Sequence, residues 1–160
     1  MSRKIPLFLS LDQGGHASRA LVFDAKGRLV ASAQKKITTL HSSRNRVEHN
    51  PEALIASVKY VCNAITRQLG SRCAHIQAAG LATQRSTIVC WNRETGKALS
   101  PVISWQDRRA ARRIATLASH QARVHELTGL VLSPHYGASK LAWCLEKLNP
   151  VRKALRQGRL

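Results

Sequence analysis

Acidic side chains are scarce in this chain: eight Asp and Glu stand against twenty-six Lys and Arg, a formal net charge of +18. Such an excess attracts polyanions, whether nucleotide, nucleic acid or anionic lipid. Long apolar runs are also missing. None approaches the about 18–20 residues a membrane-spanning helix requires, so no membrane partner is expected. The start, Met1-Ser2-Arg3-Lys4 followed by Ile5-Pro6-Leu7-Phe8-Leu9, has the basic opening of a secretory signal. Asp12 and Gln13 break its apolar stretch too early, and a cytoplasmic protein is expected.

Cysteine is sparse and scattered. Cys62, Cys73, Cys90 and Cys144 form no Cys-x-x-Cys pair, which argues against a zinc site or a disulfide framework and for reduced, buried thiols. The seven Phe, Trp and Tyr include no Arg/Lys-Gly-Phe platform of the kind that stacks RNA bases. His16, His41, His75, His120, His125 and His135 show no His-Glu-x-x-His spacing, so no protein-bound metal is expected. Internal repeats and low-complexity tracts are absent.

The basic residues do not form one block: nine fall in residues 1–50, six in 51–100 and eleven in 101–160. Dispersed charge of this kind contacts phosphates without reading bases, so no specific nucleic-acid partner is expected. The densest group, Arg108-Arg109 and Arg112-Arg113, repeats every four residues and reads as one solvated helix face.

At 160 residues with 44% hydrophobic content, one compact domain with a real core is the default. Residues 5–12 are strongly apolar and end at Asp12, and the turn Gln13-Gly14-Gly15-His16 follows. Two further strand-like runs, 19–24 and 28–33, are separated by the turn Ala25-Lys26-Gly27, which implies an antiparallel meander. Residues 38–49 are polar and read as a loop. Asn50-Pro51-Glu52 is a helix start, and Leu54, Ile55, Val58, Val61, Cys62, Ile65 and Leu69 make a 3.6-residue stripe ending at Gly70. Glu48-His49 has the residue types of an acid–base pair, but this helix entry accounts for the segment. Residues 76–83 suit a buried strand, and 86–91 read as another. Helical periodicity returns from Asp107 to Ala118, a short helix ends at Gly129, and another runs from about Ala138 to Leu148. The order predicts an α/β domain with a partly antiparallel sheet.

Four segments in order, Asp12 to Ala20, Val47 to Glu52, Ala82 to Thr87 and Ile103 to Arg109, resemble the FGGY carbohydrate kinases. Thr128-Gly129-Leu130, Ser133-Pro134 and Ser139-Lys140-Leu141 extend the resemblance over nearly the whole chain. It implies a ribonuclease-H-like, actin-like ATPase fold with a mixed sheet. It also implies an activity: ATP-dependent, Mg²⁺-assisted phosphorylation of a hydroxyl on a small sugar or polyol. The hairpin Asp12, Gly14, Gly15, His16, Ser18 and Arg19 would meet nucleotide phosphate and Mg²⁺, with backbone N–H groups from Gly14 onward around the phosphate. Gln84, Arg85, Ser86, Trp105 and His135 would meet the sugar or polyol. Arg85 would act as a partly buried fork of donors, while Trp105 reads equally as an apolar wall or a plain core residue.

Departures from that pattern accompany the resemblance. Gly15, His16 and Ala17 occupy positions where relatives of the glycerol kinase type carry hydroxyls, Ser86 replaces a glutamate and His135 a tyrosine. Family members are about three times as long, and their second half supplies the adenine pocket and the aspartate acting as general base. No acid here matches it, so no catalytic residue is assigned. The expectation is a truncated N-terminal kinase domain over residues 1–160, lacking the C-terminal nucleotide-binding domain, inactive alone and prone to self-association. Two other readings stand beside it: a basic module binding nucleic acid, and a sugar-binding regulator without phosphoryl transfer.

Overall fold

The computed structural model describes residues 5–160, and the basic start at residues 1–4 lies outside the described residues. In chain order the strands are β1 (Leu7–Gln13), β2 (Ala17–Asp24), β3 (Leu29–Lys36), β4 (Leu40–Ser43), β5 (Arg46–His49), β6 (Ile76–Thr83) and β7 (Val102–Ile103). The α-helices are α1 (Pro51–Leu69), α2 (Ala111–Ala115), α3 (Gln121–Thr128), α4 (Gly137–Lys147) and α5 (Asn149–Arg156). They divide into two compact units, one of residues 5–38 with Glu52–Gln84, the other of Thr39–Pro51 with Arg85–Leu160.

In the first unit the meander read from the sequence is present. β1 pairs antiparallel with β2 and β2 with β3, while β6 adds to β1 in parallel, giving the order β3-β2-β1-β6. Strand alternation sends Leu7, Ala20, Val22 and Ala31 to one face, where Val61, Ile65 and Leu69 of α1 cover them. Leu7, Val22, Val61, Ile65 and Leu69 each contribute about 1.5–3 kcal/mol of transfer free energy when fully buried, and the alanines less. The helix carries Glu52 in its first turn and Arg67 in its last, both favourable to its dipole. It gives way at Gly70, where φ is +54°, a conformation that costs glycine little. Burial is uneven along the sheet: from Gln77 to Thr83, β6 is exposed, contrary to the buried strand expected, because it is the sheet's edge.

The second unit departs from the sequence reading in four places. Residues 38–49, expected as a loop, contain the hairpin of β4 and β5, which joins β7 in the order β4-β5-β7. A remote partner makes this strand: the Val47 N–H donates to Asp107 Oδ2 at 2.7 Å, and the Val47 carbonyl accepts from Ser104 N at 3.0 Å. Residues 86–91 form only isolated bridges, Ile88 with Ile103 and Trp91 with Ala98. Helix α2 starts at Ala111 and not at Asp107, because Asp107 Oδ1 accepts the Arg109 N–H at 2.9 Å and closes a local turn that competes with helix. Arg109 is thereby removed from the expected solvated face, and only 3% of its side chain is exposed.

Helix α3 ends at Gly129, φ +69°, as read. Helix α5 was not anticipated, although Asn149-Pro150 repeats the Asn-Pro entry signal of α1. The core here gathers Cys90, Ile103, Cys144 and Val151. All four cysteines are reduced, with Cys90 and Cys144 buried and Cys62 and Cys73 half-buried. No helix among the described residues is long and apolar enough to cross a membrane.

Candidate functional site

The residues singled out by the sequence fall into two groups, one in each unit. The boundary passes between Gln84 and Arg85, so the Gln84-Arg85-Ser86 run is divided.

In the first unit the hairpin between β1 and β2 carries Asp12 and Arg19 directly opposite each other on the sheet face away from α1. Asp12 Oδ2 accepts from Arg19 Nη1 at 3.1 Å, and both side chains are about half exposed. Gln34 Oε1 accepts from Arg19 Nε at 3.0 Å and fixes the guanidinium further. Thus a carboxylate and a cation sit side by side at the strand end, facing solvent. The turn itself is tight: Gly14 N donates to Ala17 O at 3.0 Å, and a Cβ on Gly14 would lie 3.2 Å from that oxygen. The Gly14 N–H is therefore committed to closing the turn and does not belong with the phosphate donors expected from Gly14 onward. The His16 carbonyl accepts from Ile37 N, which ties the turn to the end of β3.

Two residues have surroundings that the sequence did not suggest. Ser18 points into the core, 1% exposed, with its hydroxyl 2.8 Å from that of Ser57 on α1. Ser57 in turn donates to Leu54 O at 2.7 Å. The alternation that sends Arg19 outward sends Ser18 inward. Gln84 lies against the hairpin, donating to Gln13 Oε1 at 3.2 Å and to Gly14 O at 3.1 Å.

In the second unit Arg85 and Ser86 form a turn. Arg85 is exposed and not partly buried as expected, because it stands in the turn that follows β6. Ser86 has φ +61°, the left-handed region, and is the only non-glycine residue with positive φ among those described. Trp105 is 42% exposed, which removes the plain core reading. Its N–H donates to Thr87 Oγ1 at 3.0 Å, and its ring meets His135 edge-on, centroids 5.7 Å apart. His135 is in turn edge-on to Tyr136 at 5.2 Å.

Lys140 joins these segments. This fully buried side chain of α4 donates to the carbonyls of Ser86 at 2.9 Å, of Trp105 at 3.5 Å and of His135. Burial pushes its ammonium down to about 8, while Asp107 opposes and Arg109 adds to the shift. A second buried group lies nearby in sequence. Arg109 donates to Asp107 Oδ2 at 2.8 Å and Glu48 Oε1 at 2.5 Å. Burial works to raise Asp107, but hydrogen bonds from Arg109 and the Val47 N–H outweigh it and hold the carboxyl below the usual range. Lys140, Asp107 and Arg109 lie in segments that carry the resemblance, and Glu48 was weighed as an acid–base residue, but the sequence reading gave none of them a site role. The available signal was a lysine at an apolar-stripe position, between Ser139 and Leu141.

Residues 7–157 match the N-terminal domain of the FGGY family of carbohydrate kinases. The chain belongs to that family. It is 38% identical over 154 residues to the glycerol kinase of Delftia acidovorans, covering 95% of this chain and 31% of that protein. Among solved structures it superposes on Plasmodium falciparum glycerol kinase with ADP at TM-score 0.88 and 20% identity, covering 97% of this chain and 31% of that one. Xylulose kinase from Lactobacillus acidophilus follows at TM-score 0.82 and 19% identity, covering 93% and 30%. The fold is that of the N-terminal domain of the FGGY kinases, the actin-like ATPase fold, and the resemblance to glycerol kinases holds. The chain spans about 31% of the length of the relatives it matches.

Proposed function

We propose that the chain is the N-terminal part of an ATP-dependent kinase that phosphorylates a hydroxyl of a small sugar or polyol, and that alone it has no turnover. The observation that carries this reading is the grouping of Ser86, Trp105 and His135 around Lys140 in a chain of FGGY membership. An exposed aromatic face beside hydroxyl and imidazole donors suits a small hydroxylated ligand, whose carbons pack on the ring while its oxygens take the donors. Arg85, exposed in the adjoining turn, supplies a further fork of N–H groups.

The hairpin residues suit a magnesium–nucleotide complex in part. Asp12 would hold Mg²⁺ through water, and Arg19 would neutralise phosphate charge, with Gly15 and His16 at the turn. Mg²⁺ supplies charge neutralisation of the phosphate oxygens when bound. The turn from Gly14 to Ala17 carries no side-chain hydroxyl, and Ser18 beside it is turned into the core. Nucleotide affinity is therefore expected to be weak.

The acids support the expected inactivity. Seven of the eight carboxylates pair with arginine: Asp12 with Arg19, Asp24 with Arg28, Glu48 and Asp107 with Arg109, Glu94 with Arg159, Glu126 with Arg123 and Glu146 with Arg113. The eighth, Glu52, sits in the first turn of α1. A positioned general base contributes typically about 10²–10⁴-fold, and none of these acids matches the aspartate to which the resemblance assigns that role. The test is incubation of the purified chain with γ-labelled ATP, Mg²⁺ and a panel of three- to seven-carbon polyols and sugars. No labelled product is expected, and sustained turnover of any of them would overturn the reading.

A further inference from the structure

We propose that Lys140 is the positioning residue of the candidate sugar or polyol wall: its ammonium holds the main chain at Ser86, Trp105 and His135 so that their side chains line one ligand. The proposal rests on the functional reading above. It begins from a match of numbers. A lysine ammonium has three N–H donors and no acceptor, and here three carbonyl oxygens face it. The acceptors come from three separate segments: the turn at Ser86, the turn at Trp105 after β7, and the residues leading into α4. Methionine would fill the same volume more cheaply but leave the three carbonyls without this donor. Arginine would offer a planar fork to a target that is not planar.

Two further observations show that the hold is under load. Ser86 keeps a left-handed backbone that a serine adopts only when its surroundings enforce it, and the Ser86 carbonyl is an acceptor of Lys140. One turn before Lys140, Gly137 lets α4 press against the strand-like segment after Ser86. A Cβ there would lie 3.0 Å from Ile88 Cγ2. The three residues tied together are also those whose identities differ from, or line, the substrate cage that the sequence resemblance implies. A lysine serving only the core would have no reason to select them.

The charged groups acting on the ammonium are Asp107 and Arg109 after β7, and Glu48 of β5 pairs with that same Arg109. With burial lowering Lys140 to about 8, loss of its proton falls in an accessible range. The neutral amine keeps two N–H donors, so one carbonyl is released.

The experiment is carbonyl ¹³C NMR of the labelled full chain across pH 7 to 9, followed by titration with xylitol and glycerol. The carbonyls of Ser86, Trp105 and His135 are expected to shift together with one midpoint near about 8. That step should vanish in Lys140→Met and in Lys140→Arg, which keeps the charge, and persist in His135→Gln, which keeps the main-chain carbonyl. Polyol binding is expected to weaken on the order of tenfold in Lys140→Met, as for one lost charge-assisted hydrogen bond. In the wild type it should decline through the same midpoint. Carbonyls that titrate separately or not at all, or polyol binding indifferent to both Lys140→Met and pH, would overturn the proposal. The wild-type titration decides this even where a variant fails to fold. A common carbonyl step with no response to either polyol would uphold the lysine's hold and remove the polyol reading instead.

Discussion

The guanidinium carbon of Arg109 lies over the ring of Trp143, 4.5 Å from its centroid, while the same group donates to Asp107 and Glu48. A cation with 3% of its side chain exposed is thus stacked on one side and paired at its edge. Removing it strands two carboxylates, one fully buried. Arg109→Leu is expected to cost about 3–5 kcal/mol, measured as the shift in urea midpoint. The pH dependence has a definite sign. In the wild type Asp107 is held below its ordinary value, so its stabilising contribution is complete above about pH 4 and lost as pH falls further. In Arg109→Leu burial acts without its main counterweight, so Asp107 rises and the acid limb of the stability curve moves to higher pH. An acid limb that stays in place would contradict the pairing.

Ser18 is a core contact, and its burial argues against a role at the phosphate. Ser18→Ala removes one buried hydroxyl pair with Ser57 and is expected to cost about 0.5–1.5 kcal/mol. The affinity for ADP, read by calorimetry, should not change. A fall in ADP affinity without a fall in stability would return Ser18 to the phosphate site.

Ser86→Gly is expected to stabilise the chain by up to about 1 kcal/mol, since glycine takes positive φ without the Cβ penalty. Thermal or urea unfolding reads this directly. Destabilisation would mean that the serine side chain contributes more than its backbone strain costs.

β6 is exposed along its outer length, and Leu81 retains 63% of its accessible surface. An edge strand of this kind is a template for pairing with another chain. Sedimentation of the purified protein should show concentration-dependent self-association, reduced by Leu81→Lys. A monomer at every concentration would exclude this edge as an interaction surface.

A completed enzyme built on this chain should not prefer glycerol. If Ser86 stands where the resemblance implies a glutamate, one ligand hydroxyl loses a charge-assisted hydrogen bond of about 1.5–3 kcal/mol. His135 in place of a phenol alters a second position. The smaller serine opens space beside Arg85, which suits a longer polyol or a ketose. The measurement is kcat/KM across polyols for residues 1–160 fused to the C-terminal portion of a relative. Preference for glycerol over every four- to seven-carbon substrate would show that these substitutions do not set specificity.

By itself the sequence determined the elements whose signals are local. The strands and turns of the meander, the Asn50-Pro51 entry of α1, its apolar stripe and the glycine that ends it are all set by neighbours within a few residues. The order of motifs along the chain was equally plain. Tertiary structure decided the rest, because the determining partners lie far away in the chain. Val47 is in a strand because Asp107 accepts its N–H. Arg109 leaves the solvated face its spacing suggested because Asp107 and Glu48 await it in the interior. Ser18 and Arg19 are neighbours of similar polarity, and only the sheet's packing against α1 sends one to Ser57 and the other to Asp12. Lys140 is the clearest case: in sequence it is one more cation among twenty-six, and three carbonyls from three segments give it a place. A side chain's charge is written in the sequence, but its acceptors are brought to it by folding.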